Sequence, residues 1–223
     1  MRLLTAVLIL AESGIAALGA EKPTPAAPVV SPAASDAWKH LFDGKSLSGW
    51  KTTEFGGHGE IEVKEGELHF GMGAMLTGVT FTNPTPRINY EVALEAKKTT
   101  GSDFFCGLTV PVNDTNCTLI VGGWGGGIVG ISSLDSYDAS ENETTVVRAF
   151  ATDRWYEIRM RVTPSKLQVW VDNERVIDVS IADRRVGMRA GEIEMSAPFG
   201  IAAWQTAAAF RDIRIRPVTG PDR

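Results

Sequence analysis

The stretch RWYEIRMRVTPSKLQVWVDNERVIDVSI, residues 154–181, has a clear β-strand pattern. In its first half, apolar side chains alternate with charged ones, which is the pattern of a strand with one buried face. The apolar members are Tyr156, Ile158, Met160 and Val162, and the charged ones are Glu157, Arg159 and Arg161. In its second half, Asp172-Asn173 separates two further apolar runs, which predicts a β-hairpin.

The same alternation continues on both sides of this stretch. It recurs in INYEVALEAK (88–97) and in DIRIRPV (212–218), and glycine-containing turns separate the runs. Nothing reads as a long amphipathic helix, and the best short helical candidate is SYDASENETT (136–145). Many short antiparallel strands with frequent turns predict an all-β sandwich or jelly roll.

The two ends of the chain differ from the middle in composition. Residues 1–20 have a positive start, a short apolar run and small residues, which predicts a secretory signal peptide and export. Residues 21–36 are rich in Pro and Ala and predict an extended linker. One globular domain is expected over 37–218, with a tail at 219–223, and no other segment is expected to span a membrane.

Charge and cysteine content narrow the partners and the redox chemistry. The formal net charge is −5 without a basic stripe, which argues against nucleic acid as a partner. Cys106 and Cys117 are the only cysteines, and export favours a disulfide between them. A tight turn at Asn113–Thr115 would not place them opposite each other, so the disulfide requires an offset or a wider loop.

The segment VGGWGGGIVGISSLDSYDASENETT, residues 121–145, is the first candidate site. Trp124 lies among glycines, so its ring face is open for stacking on a sugar; a core position is the alternative. Four acidic residues follow, and so many neighbouring carboxylates require a cation among them. We expect Asp135, Asp138 and Glu143 as possible bases, Asp135, Asp138 and Glu141 as ligands of Ca²⁺ or a similar divalent ion, and Arg148 as a substrate-binding cation. A salt-bridge network or a solvated acidic loop is the alternative.

A second candidate is the loop GGHGE, residues 56–60. A histidine between glycines is exposed and can act as a general base, so His58 is a further catalytic candidate. An ordinary loop histidine is the alternative.

Motifs spread over the whole domain resemble the 3-keto-disaccharide hydrolase family. The opening HLFDGKSLSGWK (40–51) is similar to the first signature of that family, and FRDIRI (210–215) is similar to its closing strand. Between them, similar segments occur in the same order: VKEGEL (63–68), GSDFF (101–105), RWYEI (154–158), VWVDN (169–173) and FGI (199–201). The middle segment, 101–145, departs from the usual family pattern, and a histidine common near the end of the family is absent, with Gln205 nearest to its place.

The resemblance implies a fold, an activity and further site residues. The implied fold is a single concanavalin A-like jelly roll of two antiparallel sheets. The implied reaction cleaves a glycoside with a ketone at C3, and it needs a base for the C2 proton and a cation or metal near the ketone oxygen. Asp103, Trp204 and Gln205 would line the concave sheet and bind substrate. A non-catalytic carbohydrate-binding module is the alternative, and a structural or adhesive surface protein is a third possibility.

Overall fold

A computed structural model describes residues 37–219. The expected signal peptide (1–20), the expected linker (21–36) and residues 220–223 of the expected tail lie outside this range. Within it, no helix is long and apolar enough to cross a membrane.

Residues 37–219 form two antiparallel β-sheets, here with strands numbered in chain order. The eight-stranded sheet has the order β13 (Glu174–Ser180), β12 (Lys166–Val171), β11 (Trp155–Val162), β6 (Tyr90–Gly101), β15 (Thr206–Pro217), β4 (Glu67–Phe70) and β3 (Ile61–Lys64), and β1 (Lys39–His40) also pairs with β15. The seven-stranded sheet has the order β10 (Val146–Val147), β9 (Ile128–Ser132), β8 (Thr115–Gly122), β7 (Cys106–Val112), β14 (Gly200–Trp204), β5 (Leu76–Phe81) and β2 (Trp50–Thr52). This all-β sandwich confirms the predicted fold class.

Helical backbone in this range is confined to a short 3₁₀ helix (Glu192–Ser196). The segment Gly123–Gly126, here α1, is a four-residue turn with left-handed backbone at Trp124 and Gly125. The expected helix within 136–145 is wrong, because that segment forms turns. The side-chain amide of Asn142 donates to the carbonyls of Ile131, Tyr137 and Asp138, at 2.8, 3.1 and 2.8 Å. A side chain that bonds local carbonyls in this way replaces the helical pattern.

The core between the sheets follows from the two-residue period of the strands. In β11, Tyr156, Ile158, Met160 and Val162 are buried, and the charged residues between them are half-buried on the opposite face. The hairpin β12–β13 also forms as predicted, and Asp172 and Asn173 at its turn have φ of 51° and 65°. Asp and Asn tolerate these left-handed conformations better than other non-glycine residues.

The opening motif 40–51 packs into the core of the sandwich. Trp50 donates its indole N–H to the carbonyl of Leu41 at 2.8 Å and packs against Phe81 and Phe199. Asp43 accepts hydrogen bonds from the backbone N–H groups of Lys45 and Ser46, and these bonds lower its pKa. The motif therefore stabilises the fold and does not form the site described below.

The expected disulfide between Cys106 and Cys117 is not formed, and both thiols are free and buried. The β7–β8 hairpin turns tightly after Val112, so Cys106 pairs with Val121 and Cys117 pairs with Val110. The two cysteines are thus four residues apart along the strands, roughly 13 Å, whereas a disulfide requires a Cα separation below about 7 Å. Burial raises the pKa of Cys117 to about 12 and also raises that of Cys106.

Glu91 is the centre of a charge cluster on the outer face of the eight-stranded sheet. Its carboxylate is fully buried and accepts hydrogen bonds from Arg159 and Arg161, each at 2.8 Å, and from Arg216. Burial raises the pKa of Glu91, but the hydrogen bond from Arg216 and the charges of Arg161 and Arg159 outweigh it, so the net pKa is lowered. The cluster ties β6 to β11 and β15.

We expect Glu91→Gln to lower the free energy of unfolding in urea by on the order of 3 kcal/mol, because it leaves three arginines around a neutral amide. The matched control is Glu95→Gln, since Glu95 is on the same strand and its one ion pair within residues 37–219 is with Arg211, at 2.5 Å on a partly exposed surface. Its effect should stay below about 1 kcal/mol. Equal losses in the two variants would contradict the central position of Glu91.

The same cluster predicts a pH dependence of stability. Because the folded-state pKa of Glu91 is below its ordinary value of 4.5, its contribution is complete above that value and is lost as the pH falls through the lowered pKa. Thermal melts should show Tm falling at acid pH more steeply in the wild type than in Glu91→Gln. Parallel profiles would show that Glu91 does not supply the effect.

The two free cysteines predict how many thiols react with Ellman's reagent in native and in denatured protein. Native protein prepared without reductant should give no fast reaction with Ellman's reagent, because both thiols are buried and protonated. In denaturant, two thiols should titrate. Recovery of thiols only after reduction would show that a disulfide exists after all.

Candidate functional site

The candidate site is a cavity of about 430 Å³ over the outer face of the seven-stranded sheet. Its floor includes Thr118 and Ile120 of β8 and Ser132 of β9, which point away from the core because their neighbours Leu119 and Ile131 are buried in it. The segment from Arg189 to Ile193 lines the cavity as well. A sheet face and a covering segment therefore enclose a space large enough for a small ligand.

Trp124 lines this cavity from the loop between β8 and β9. The residue has a left-handed backbone, with φ of 49°, and Gly122, Gly125 and Gly126 around it have φ of 81°, 83° and 98°. Glycine adopts these positive φ values without strain, whereas they are energetically costly for most other residues. This left-handed segment raises Trp124 out of the sheet and leaves the residue 42% exposed. Trp124 is therefore not a core residue.

A second wall of the cavity is apolar. Phe104 and Trp204 face each other with ring centroids 6.5 Å apart, and both pack on a small hydrophobic cluster that is separate from the main core. That cluster contains Phe55, Leu76 and Ala202, with Ile193 packed against it. Met75, Leu76 and Ile193 line the cavity beside the two rings.

Asp103 is one of the carboxylates of the cavity. Thr206 fixes its backbone, because the hydroxyl lies 3.1 Å from both the N–H and the carbonyl of Asp103. Its Oδ1 accepts the backbone N–H of Phe104 at 2.7 Å. Among residues 37–219, no hydrogen-bond or ion-pair partner is found for its Oδ2, so this oxygen is available to a ligand.

Asp138 is the second of three carboxylates that line the cavity, the third being the exposed Glu192, and Asp138 is held on both oxygens. Oδ1 accepts from the hydroxyl of Ser132 at 2.5 Å and from the N–H of Ala139 at 2.8 Å, and Oδ2 accepts from Arg189 at 2.6 Å. The guanidinium of Arg189 is largely exposed, whereas Asp138 is mostly buried. Asp138 therefore anchors a cation at the cavity wall.

The other predicted carboxylates of this loop lie outside the cavity lining. Asp135 and Glu143 both pair with Arg184, each at 2.5 Å. The N–H of Arg185 and the side chain of Arg184 lower the pKa of Asp135, and the hydrogen bond from Arg184 lowers that of Glu143. Glu141 is exposed.

The metal set proposed from the sequence does not fit this arrangement. Within the described range, no group of three or more His, Cys, Asp or Glu side chains is placed to hold a metal ion. Asp135 and Asp138 bind different arginines, Arg184 and Arg189, so the salt-bridge alternative is the arrangement present. In the described range, the expected Ca²⁺ ligands Asp135, Asp138 and Glu141 are therefore not brought together as one group.

Three further predicted residues are also not brought to the cavity lining. His58 contacts its own loop, with Nδ1 2.9 Å from the carbonyl of Gly59 and Nε2 3.7 Å from Glu54. Arg148 pairs with Glu174 at 2.6 Å and approaches Asp172 at 3.7 Å. Gln205 donates to the carbonyl of Ala74 at 3.0 Å.

Four predicted residues do meet in the cavity: Asp103, Trp124, Asp138 and Trp204. The sequence reasoning missed Arg189, Phe104 and Ile193. Phe104 adjoins the predicted Asp103 and could have been found by that link. Arg189 and Ile193 lie in a segment without strand periodicity, and only the flanking Gly187 and Gly191 mark it as a loop.

Comparison with known proteins gives the family. A family model for the 3-keto-alpha-glucoside-1,2-lyase-like domain matches residues 37–216, nearly the whole described range. The chain belongs to this family. Comparison with curated proteins gave no significant match. The family supports a carbohydrate-related function, in agreement with the resemblance found in the sequence.

Solved structures share the fold at low identity. A carbohydrate-binding module, CBM66 from Bacillus subtilis, matches with a TM-score of 0.51 and 10% identity over 75% of this chain and 95% of that one. The Crh5 transglycosylase matches with a TM-score of 0.56 and 11% identity over 85% and 86%. Since one is a binding module and the other an enzyme, the fold does not decide between binding and catalysis.

Proposed function

We propose that this member of the 3-keto-alpha-glucoside-1,2-lyase-like family binds a glycoside in the cavity and cleaves it when the sugar carries a ketone at C3. The observation that carries the proposal is the meeting of an unpartnered carboxylate oxygen, an anchored guanidinium and an exposed indole in one space. These are the groups that the reaction needs: a base, a cation and a binding platform.

Asp103 is the proposed base. A ketone at C3 acidifies the C2 hydrogen, and the free Oδ2 of Asp103 takes that proton while its Oδ1 stays bound to the N–H of Phe104. The electron pair of the C2–H bond forms the enolate, and the glycosidic C1–O bond then breaks as the leaving group takes up a proton. Addition of water to the resulting double bond completes hydrolysis.

Arg189 is the proposed cation for the enolate oxygen. Its guanidinium can donate several hydrogen bonds, and the bond to Asp138 occupies only part of this capacity. Asp138 is in turn fixed by Ser132 and Ala139. A donor held in place before the reaction stabilises developing charge more than one that must reorganise. Asp138 is therefore a positioning residue, not the base.

Trp124 is the proposed platform for the sugar ring, because its side chain is exposed at the cavity and its loop is braced by left-handed glycines. This exposure also favours the alternative, a non-catalytic carbohydrate-binding protein, since stacking requires no base. Export, proposed from residues 1–20, would place either activity outside the cytoplasm.

We expect Asp103→Asn to reduce cleavage of a chemically prepared 3-keto-α-glucoside by roughly 10²–10⁴-fold, the usual contribution of a general base. Glycoside binding, followed by tryptophan fluorescence, should be largely retained, because the amide keeps the shape of the side chain. Glu141→Gln is the matched control, since Glu141 is an exposed acid outside the cavity lining.

Three outcomes separate the candidates. Cleavage by the wild type and Glu141→Gln, but not by Asp103→Asn, supports the proposed enzyme. Glycoside binding without cleavage, lost in Trp124→Ala, replaces it with the binding module. Undiminished cleavage by Asp103→Asn refutes the base assignment.

A further inference from the structure

The cavity has two chemically different halves, and the strand order of the seven-stranded sheet separates them. Thr118 and Ser132 lie opposite each other on β8 and β9, and Asp138 and Arg189 adjoin Ser132. Met75 and Leu76 at β5 and Trp204 of β14 lie on the other side of β7. Neighbouring strands are about 4.8 Å apart, so β8 and β14, two positions apart, are separated by roughly 10 Å.

The half beside β14 and β5 has few polar groups for a ligand. Its lining side chains are Met75, Leu76, Phe104, Ile193 and Trp204. The neighbouring Glu192 also lines the cavity; it is exposed, and its Oε1 accepts the N–H of Gly56 at 3.2 Å. The peptide groups beside Trp204 are already paired, since its N–H donates to the carbonyl of Phe104 at 3.0 Å and that of Gln205 donates to the carbonyl of Met75 at 2.8 Å. A sugar hydroxyl placed against the rings of Phe104 and Trp204 would lose its water without gaining a partner from them, which is unfavourable.

Asp103 lies at the boundary of the two halves. It directly precedes Phe104 of the apolar half, and its Oδ1 would be 3.9 Å from a Cβ added to Gly123, next to Trp124. This inference rests on the proposed function, in which Asp103 removes the C2 proton of the sugar. With that proton within reach of Asp103, we place the sugar toward Trp124, Arg189 and Asp138. The group attached at C1 is then placed in the apolar half.

We propose that this apolar half is an aglycone subsite, and that the preferred ligands are glycosides of apolar, ring-containing aglycones rather than disaccharides. A phenyl-sized group fits beside Phe104 and Trp204. The side chain of Met75 is flexible and polarizable, so it can adapt to the edge of the phenyl ring. A second sugar unit would present hydroxyls to the same surface and bind less well.

The test compares the binding of phenyl α-glucoside, methyl α-glucoside and an α-1,2-linked glucose disaccharide to the full-length protein, by tryptophan fluorescence. None of these carries the ketone, so binding is measured without turnover. We expect the phenyl glucoside to bind about tenfold or more tightly than the other two, because its ring buries additional apolar surface. Equal affinities, or tighter binding of the disaccharide, would overturn the subsite.

A pair of methionines provides a matched control. Met75 lines the cavity and Met72 does not, and both are similarly exposed, at 41% and 48%. Met75→Gln should reduce the phenyl preference at least about threefold, whereas Met72→Gln should leave it unchanged. An unchanged phenyl preference in Met75→Gln would also contradict the subsite.

The binding and cleavage assays together distinguish a failure of the subsite from a failure of the proposed function. A phenyl preference without cleavage of the 3-keto-α-glucoside would remove the enzyme and retain the subsite in a binding protein. Cleavage without a phenyl preference would retain the enzyme and remove the subsite.

Discussion

The two-residue period of the strands is the constraint on which the rest of this structure depends. In β8, Leu119 and Val121 fill the space between the sheets, so Thr118 and Ile120 must face the other way. The same rule puts Ser132 on the outer face of β9. Because the core uses only one face of the seven-stranded sheet, the other face is free to carry a site, and its short side chains leave the necessary room.

Ion pairs then add contacts between strands and between loops that the strand period does not determine. On the outer face of the eight-stranded sheet, Glu91 joins three strands through arginines. In the other sheet's loops, Arg184 pairs with both Asp135 and Glu143, and Arg189 binds Asp138 at the cavity wall. The first two of these clusters stabilise the fold. The last has a cation, Arg189, at the wall of the cavity, which is why we propose a catalytic role for that cation.

The fold could be predicted from the sequence because strand period and turn residues are local signals. The alternation in 154–162 and the Asp172-Asn173 turn reappear in the structure with almost the same limits. The site could be predicted only in part. Trp124 was found from its glycines, but the partners of Asp135 and Asp138 are about 50 residues away along the chain, at Arg184 and Arg189. Local spacing does not encode such contacts, and so a metal cluster was expected where arginines are present.

We propose that the sugar of a glycoside lies between Asp103 and Trp124. A crystal structure of Asp103→Asn soaked with a 3-keto-α-glucoside would show this arrangement. The proposed function predicts the sugar ring against Trp124, its ketone oxygen within hydrogen-bond distance of Arg189 and its C2 facing residue 103. A glycoside bound elsewhere, or oriented with C2 away from residue 103 and toward solvent, would contradict it.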